Sequence, residues 1–209
     1  MNIGVVGAGG RSGKAFVEAA LSAGHTVTAG VHSHNPLASH PHLSVRTIDA
    51  TSSVDVRTLI EGQDAVVSLI GHVKGSPIFV QTDAIKTILS EMDATAITRL
   101  VSLTGTGVRF PGDKVSLIDR FMNSTISIID PARIKDGLEH TVCIQQSEID
   151  WTIIRVLKLR NGKATPFQLT ENGPTKVFTS RQEVAEAILQ VLTNKTFIKK
   201  APMLSTKRS

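Results

Sequence analysis

Ile3-Gly4-Val5-Val6-Gly7-Ala8-Gly9-Gly10-Arg11-Ser12-Gly13-Lys14-Ala15-Phe16-Val17-Glu18-Ala19-Ala20-Leu21 is the stretch that decides the fold. A short apolar run of strand type breaks into a loop with glycine at its first, third, fourth and seventh positions. The loop opens at once onto residues whose apolar members recur at helical spacing, and Gly24 follows as a C-terminal stop. Val27 to Val31 then reads as the returning second strand. Each glycine has a task. Gly7 permits the tight turn, Gly9 and Gly10 let a pyrophosphate approach bare backbone N–H groups, and Gly13 lets the helix sit close on the strand. The helix N-terminus adds a partial positive charge for the phosphates. The alternative, a glycine-rich turn without a ligand, is disfavoured by how fully the strand, loop and helix context is met.

The rest of the chain keeps the alternation. Leu43 to Ile48 reads as a third strand, Val54 to Glu61 as a helix, and Ala65 to Ile70 as a fourth strand stopped by Gly71. A long helix spans about Ile78 to Met92, and Arg99 to Leu103 forms a fifth strand ending at Thr104-Gly105-Thr106-Gly107. A short helix around Leu117 to Met122 leads to a longer one, Ile134 to Gln146, and Trp151 to Arg155 is a sixth strand. Lys176 to Phe178 reads as a late strand before a final helix, Arg181 to Leu192; the residues after Asn194 form either an edge strand or a frayed tail. Continuous apolar strands alternating with helices predict an α/β fold: a Rossmann-type doubly wound parallel sheet with helices on both faces, one domain over residues 1–209. Ligands of such a sheet sit beyond the carboxyl ends of the strands. Those ends are Gly7 to Gly13, His32-Ser33, Asp49-Ala50, Ile70-Gly71-His72, Thr104 to Gly107 and Val156-Leu157.

Composition narrows the class without naming a function. No apolar run is long enough to span a bilayer, and the chain enters its first strand without a basic region or cleavage site. The single Cys143 excludes an internal disulfide and a cysteine-based metal cage, so a reducing cytoplasm is expected. A net charge of +5 suits an anionic dinucleotide as well as it suits nucleic acid, and aromatic residues are only 4%. The expected partner is a small-molecule acceptor, with neither membrane nor nucleic acid.

Several of these segments, in order, resemble the atypical short-chain dehydrogenase/reductases, in particular the compact NAD(P)H-binding group that includes flavin reductase (biliverdin IX-beta reductase) and the NmrA-like proteins. Gly7-Ala8-Gly9-Gly10-Arg11-Ser12-Gly13 looks like that group's G-A-T-G-R-T-G loop, and Asp49 sits where the group has an acidic residue beside the adenine. Asp64-Ala65-Val66-Val67 resembles its fourth strand. Ser147 to Arg155 resembles its S-G-L-D-W-T-I-V-R-P segment, and Gly173 to Val177 with Arg181 to Ala185 resembles its C-terminal strand and helix. The resemblance implies cofactor contacts at Gly7, Gly9, Gly10, Arg11, Ser12, Gly13, His32, Ser33, Asp49, Ala50, Ile70, Gly71, Thr104, Gly105, Arg155, Val156 and Leu157. The departures concern chemistry. The extended family usually protonates its substrate with a Tyr-x-x-x-Lys pair, whereas this chain has no tyrosine. Ordinary carbonyl reduction with tyrosine as the acid is therefore excluded. Two functions remain: an NADPH-dependent reductase of a planar acceptor (flavin, quinone or tetrapyrrole), or an NmrA-like sensor of NADP(H) without turnover.

Individual residues carry paired readings. The second strand ends in His32-Ser33-His34 with no carboxylate, and Arg11 lies in the glycine loop of the same crevice, which favours NADP over NAD. His32, His34, His40 and His42 crowd one loop, yet no neighbouring cysteine or carboxylate completes a coordination shell, so no metal is expected. Asp49 either caps a turn or, by the resemblance, meets the adenine amino group. Thr104 and Thr106 either close a turn or bond the nicotinamide ribose or a substrate oxygen. Asp136 and His140, one helical turn apart, are either a solvated surface couple, the favoured reading, or a proton-donating pair. Thr104, Thr106, Asp136 and His140 are thus the candidate catalytic residues. Cys143 and Trp151 read as core, and Arg155 either reaches the cofactor or braces the sheet.

Overall fold

The computed structural model describes residues 1–73 and 75–207. The chain opens with β1 (Asn2–Val6), α1 (Arg11–Ser22) and β2 (Thr26–Val31), then β3 (Leu43–Thr47), α2 (Ser53–Ile60), β4 (Ala65–Ser68) and α3 (Val80–Ala94). It continues with β5 (Arg99–Gly105), α4 (Leu117–Ile129), α5 (Pro131–Gln145), β6 (Asp150–Val156), β7 (Lys158–Arg160) and β8 (Phe167–Thr170). β9 (Phe178–Ser180), α6 (Arg181–Thr193) and β10 (Met203–Thr206) complete it. The main sheet has the order β3-β2-β1-β4-β5-β6-β10-β8. All its strands run parallel except β8, which pairs antiparallel with β10. This is the doubly wound Rossmann arrangement expected from the alternating pattern.

Side chains of a strand alternate between the two faces of the sheet, and here both faces are covered. On one face Ile3, Val5, Ala29 and Val67 pack with Phe16 and Val17 of α1 and Val184 and Ile188 of α6. On the other Val6, Val66 and Leu100 pack with Leu59 and Ile60 of α2, Ile85 and Ile88 of α3 and Ile144 of α5. Each such fully buried aliphatic chain contributes about 1.5–3 kcal/mol relative to exposure. Because consecutive residues are buried on opposite faces, the strands read in sequence as unbroken apolar runs.

The C-terminal third departs most from the sequence reading. β10 is neither an edge strand nor a frayed tail: it sits between β6 and β8, with Met203 and Leu204 buried, and Pro202 O accepts from Arg155 N–H at 2.8 Å. The late strand falls at Phe178–Ser180 instead of 176–178 and joins β7 in a separate two-stranded sheet. α4 continues to Ile129, seven residues beyond the expected Met122, and α5 starts at Pro131, where the Asp130 side chain accepts from Arg133 N–H. Short strands of three or four residues carry too little periodicity to be seen before the neighbours that hydrogen-bond them are known. α6 begins with a capping box: Ser180 Oγ accepts from Glu183 N–H, and Glu183 Oε2 accepts from Ser180 N–H, both at 3.0 Å. Glu183 also accepts from Thr165 and Lys176, which ties the segment before β8 and the approach to β9 onto the start of α6.

Candidate functional site

The carboxyl ends of β1, β2 and β4 converge on the glycine loop. Gly7 has φ +83°, a region that L side chains rarely adopt, and a Cβ there would lie 2.9 Å from the Leu69 carbonyl carbon just beyond β4. A Cβ on Gly13 would run into the Gly7 carbonyl oxygen and lie 2.7 Å from Ala8 Cα, so the first turn of α1 rests directly on the loop backbone. Gly10 N–H donates to Gly7 O at 3.1 Å and Ala8 N–H to Gly30 O at 2.9 Å, which fixes the loop without any side chain. Gly10 is the N-cap of α1; no side chain caps the helix and no acidic residue stands in its first turn. Gly9 and Gly10 are exposed and Ser12 half-buried. The donors at the start of α1 are left to an anion from outside the chain, and a pyrophosphate fits this cradle.

On the side of β2 and β3, His32, Ser33 and Asp49 are exposed and Ala50 is half-buried. Asp49 Oδ1 accepts from Thr51 N–H at 2.9 Å and from Thr51 Oγ1 at 2.7 Å, while Asp49 N–H donates to Asp55 Oδ2 at 2.8 Å. Those Thr51 bonds, the backbone one first, hold its carboxyl below the usual carboxylate range, with His32 adding a smaller pull. Asp49 therefore shapes the turn before α2, and the cap itself belongs to Ser52. Arg11 lines a groove between α1 and α6 with Arg181, Asn161 and Gln182. Burial first, and then the charge of Arg11, lowers the Arg181 guanidinium below its ordinary pKa. The N-termini of α1 and α6 lie side by side, and this draws the two arginines together. The His40 and His42 rings lie tilted to each other at 48°, centroids 5.8 Å apart, on the exposed loop. Among the described residues no group of three or more metal-ligating side chains converges.

Beyond β4 and β5 the structure corrects the reading of Asp136 and His140 as a solvated couple: both are buried. The reason is tertiary. α5 packs against α3, and Asp136 receives the N-terminus of α3. Asp136 Oδ1 accepts from Thr82 N–H at 2.9 Å and from Thr82 Oγ1 at 2.6 Å; Oδ2 accepts from Gln81 N–H at 3.0 Å. His72 Nε2 lies 2.8 Å from the same Oδ2. Sequence reasoning placed His72 only among the residues following the fourth strand and gave it no role; nothing local in Gly71-His72-Val73 signals a carboxylate 64 residues away. His140 Nε2 is 3.0 Å from Ser102 Oγ on β5. Burial pushes its pKa down to about 4, only partly opposed by Asp136, so the ring is neutral at physiological pH and is no general acid there.

The remaining candidates divide. Thr104 is buried where β5 meets α5: a Cβ on Gly137 would lie 3.4 Å from its Oγ1. Thr106 Oγ1 accepts from Asn123 Nδ2 at 3.2 Å, so this hydroxyl braces α4. Gly105 is exposed at the tip of β5, and Ile70 is half-buried with Gly71 exposed beyond β4. Gln81 Nε2 donates to Ile70 O at 2.8 Å and pins that segment. Arg155 is the brace, because its guanidinium is consumed: Nε donates to Ala201 O, and Nη1 and Nη2 donate to Asp113, Val108 O and Glu171 O. It also stacks on Phe110 at 4.5 Å. With all five donors committed, this side chain is not free for a cofactor. Val156 and Leu157 are buried, and Val156 O accepts from Thr106 N–H. Trp151 lies in the core and Cys143 is half-buried against it.

The glycine loop lies at the carboxyl edge of a sheet whose first six strands run in the order 3-2-1-4-5-6, and residues 7–195 match the NAD(P)H-binding family's model. The chain belongs to that family. Its fold is shared by the oxidoreductase ylbE of Lactococcus lactis, with TM-score 0.82 and 14% identity over 100% of this chain and 92% of that one. It is shared too by a short-chain dehydrogenase/reductase of Veillonella parvula in complex with NADP, with TM-score 0.81 and 15% identity over 98% and 94%. ChuY of Escherichia coli O157:H7, described as an anaerobillin reductase, gives TM-score 0.78 and 19% identity over the whole of both chains. Among the described residues no helix is long and apolar enough to cross a membrane.

Proposed function

We propose that the protein is an NADPH-dependent reductase that passes a hydride to a planar, conjugated acceptor of the flavin, quinone or tetrapyrrole type. The observation that carries this reading is the uncapped N-terminus of α1, cradled by Gly7, Gly9, Gly10 and Gly13 and set against the end of β4. The loop backbone and Ser12 would hold the pyrophosphate. His32 and Ser33, exposed at an end of β2 that has no carboxylate, would meet the 2′-phosphate of NADP; Ile70, Gly71, Thr104 and Gly105 would flank the nicotinamide. A bound dihydronicotinamide supplies the hydride. The protein's part is to orient the two partners and exclude water. An acceptor that delocalises the incoming charge suits a chain without tyrosine. The neighbour described as an anaerobillin reductase and the neighbour holding NADP agree with this choice of acceptor and cofactor.

A second reading, a sensor of NADP(H) that does not turn over, draws on the commitment of Thr106, Arg155 and His140 to structural bonds. Stopped-flow mixing of NADPH-loaded protein with flavin, quinone and tetrapyrrole panels decides between them. Loss of nicotinamide absorbance with at least one panel is expected; tight NADPH binding with no oxidation by any acceptor selects the sensor.

A further inference from the structure

His72 stands four residues beyond β4, on the segment whose Leu69 and Ile70 lie against Gly7 of the cofactor loop. Its side chain is 10% exposed and that of its partner Asp136 is fully buried, so the ring is clamped in place. The Asp136 carboxylate already accepts from two backbone N–H groups and one hydroxyl. A carboxylate so loaded with donors acts as an acceptor toward the ring as well, so the imidazole presents Nε2–H to it. This fixes the tautomer and leaves Nδ1 as the available nitrogen, with no hydrogen-bond partner among the described residues. The ring itself stands beside the segments assigned above to the nicotinamide end: it follows Ile70-Gly71 in the chain and is held by Asp136. Gln81 ties Ile70 down, and Gly137, the neighbour of Asp136, backs onto Thr104.

We propose that His72 is the proton donor of this site, held by Asp136 and delivering a proton from Nδ1 to the acceptor as it is reduced. The proposal rests on the reductase reading above. In the protonated ring both nitrogens carry hydrogen, and the buried Asp136 charge balances the imidazolium. With a quinone, the hydride and its electron pair come from the dihydronicotinamide, which is oxidised, and the quinone is reduced. The Nδ1–H bond breaks with its electrons staying on the ring nitrogen, and the proton joins the quinone oxygen to complete the hydroquinone. The ring is left neutral with Nε2–H still on Asp136, and solvent returns the proton. The other polar groups nearby are less suited: His140 is neutral and bonded to Ser102, and Asp136 has its oxygens occupied.

His72→Gln tests this, because glutamine keeps an N–H donor for Asp136 and removes the ionisable nitrogen. Turnover with a quinone should fall by about 100-fold or more, in the range of a lost general acid. Reduction of N-methylphenazinium, a cation that becomes neutral on taking a hydride and needs no proton, should stay within about two-fold, as should NADPH affinity measured by calorimetry. Imidazole added to the buffer should restore part of the quinone rate. Independently of turnover, histidine-ring NMR of the parent protein should show the His72 ring in its Nε2–H form, with signals that move on adding NADP. Quinone reduction by His72→Gln at the parental rate would overturn the donor and leave the reductase reading standing. Equal losses with quinone and phenazinium would make His72 a structural residue only. A ring protonated at Nδ1 in its neutral form, or one that NADP leaves unmoved, would also overturn the proposal. If the parent protein oxidises NADPH with no acceptor, the reductase reading falls and the donor falls with it.

Discussion

Asp136 of α5 and Thr82 of α3 are joined twice, through the Thr82 backbone N–H at 2.9 Å and its hydroxyl at 2.6 Å, both onto Oδ1. A side chain from one helix thereby caps another helix, whose own N-cap residue, Phe79, offers no side-chain acceptor. Asp136→Ala would strand two backbone donors and the His72 ring in a buried place, while the Thr82 hydroxyl keeps the Asp136 carbonyl oxygen at 3.1 Å. Removing a charged partner in such a setting costs roughly 3–5 kcal/mol, and urea unfolding should show a loss of that order. Thr82→Val keeps the backbone bond and should cost about 1–3 kcal/mol. An Asp136→Ala loss below that of Thr82→Val would mean that water replaces the carboxylate.

Gly10 and Gly13 should fail in different ways. A Cβ on Gly10 meets only the Gly7 carbonyl oxygen at 3.3 Å, and Gly10 has an ordinary φ of −72°. Gly10→Val should therefore fold with near-parental stability and lose NADPH binding, because its side chain occupies the path of the pyrophosphate. Gly13→Ala collides with backbone and should lower stability by about 1–3 kcal/mol or more even without cofactor. Calorimetric titration together with thermal unfolding separates the two; a Gly10→Val protein that binds NADPH as the parent does would remove the cradle from the cofactor site.

Cofactor choice should depend on the end of β2 and little on Arg11. A charge-assisted contact to the 2′-phosphate contributes on the order of 1.5–3 kcal/mol, so NADPH should bind at least about ten-fold more tightly than NADH. His32→Ala should narrow that gap. Because Arg11 lies beside Arg181, Arg11→Ala should weaken both cofactors in similar proportion. Loss of affinity for NADPH alone in Arg11→Ala would put the arginine at the 2′-phosphate after all.

His140 gives stability a defined acid limb. Its folded pKa, lowered by burial from 6.5 to about 4, means that the unfolded chain takes up the proton first as pH falls. The stability it contributes is complete above pH 6.5 and is lost progressively from there toward about pH 4. By pH 4 the loss is on the order of 3 kcal/mol. Unfolding free energies of the parent and His140→Gln, compared across this window, should diverge in slope, with the variant flatter. Parallel curves would mean that the ring gains its proton without leaving the fold.

Much of the site was legible because it is local. Gly7, Gly9, Gly10 and Gly13 announce a turn, a bare backbone and a close helix through sterics acting within seven residues, and the structure places all four at the N-terminus of α1. The residues that were misread are those whose meaning lies in distant partners. Asp136 and His140 sit at the spacing of an ordinary surface pair, and only the packing of α5 on α3 and on β5 buries them. Arg155 left two readings open until Asp113 and the carbonyls of Val108, Glu171 and Ala201 were seen around it.

The sequence by itself determined the doubly wound sheet and the bare glycine loop at the start of α1, because apolar runs, helical periodicity and glycine sterics act over a few consecutive residues. Tertiary structure decided where β10 enters the sheet, that Arg11 shares a groove with Arg181, and that His72 meets Asp136 across 64 residues of chain. Those outcomes arise from the stacking of helices on a sheet, where hydrogen-bond partners and buried charges are matched in space with no trace in local spacing.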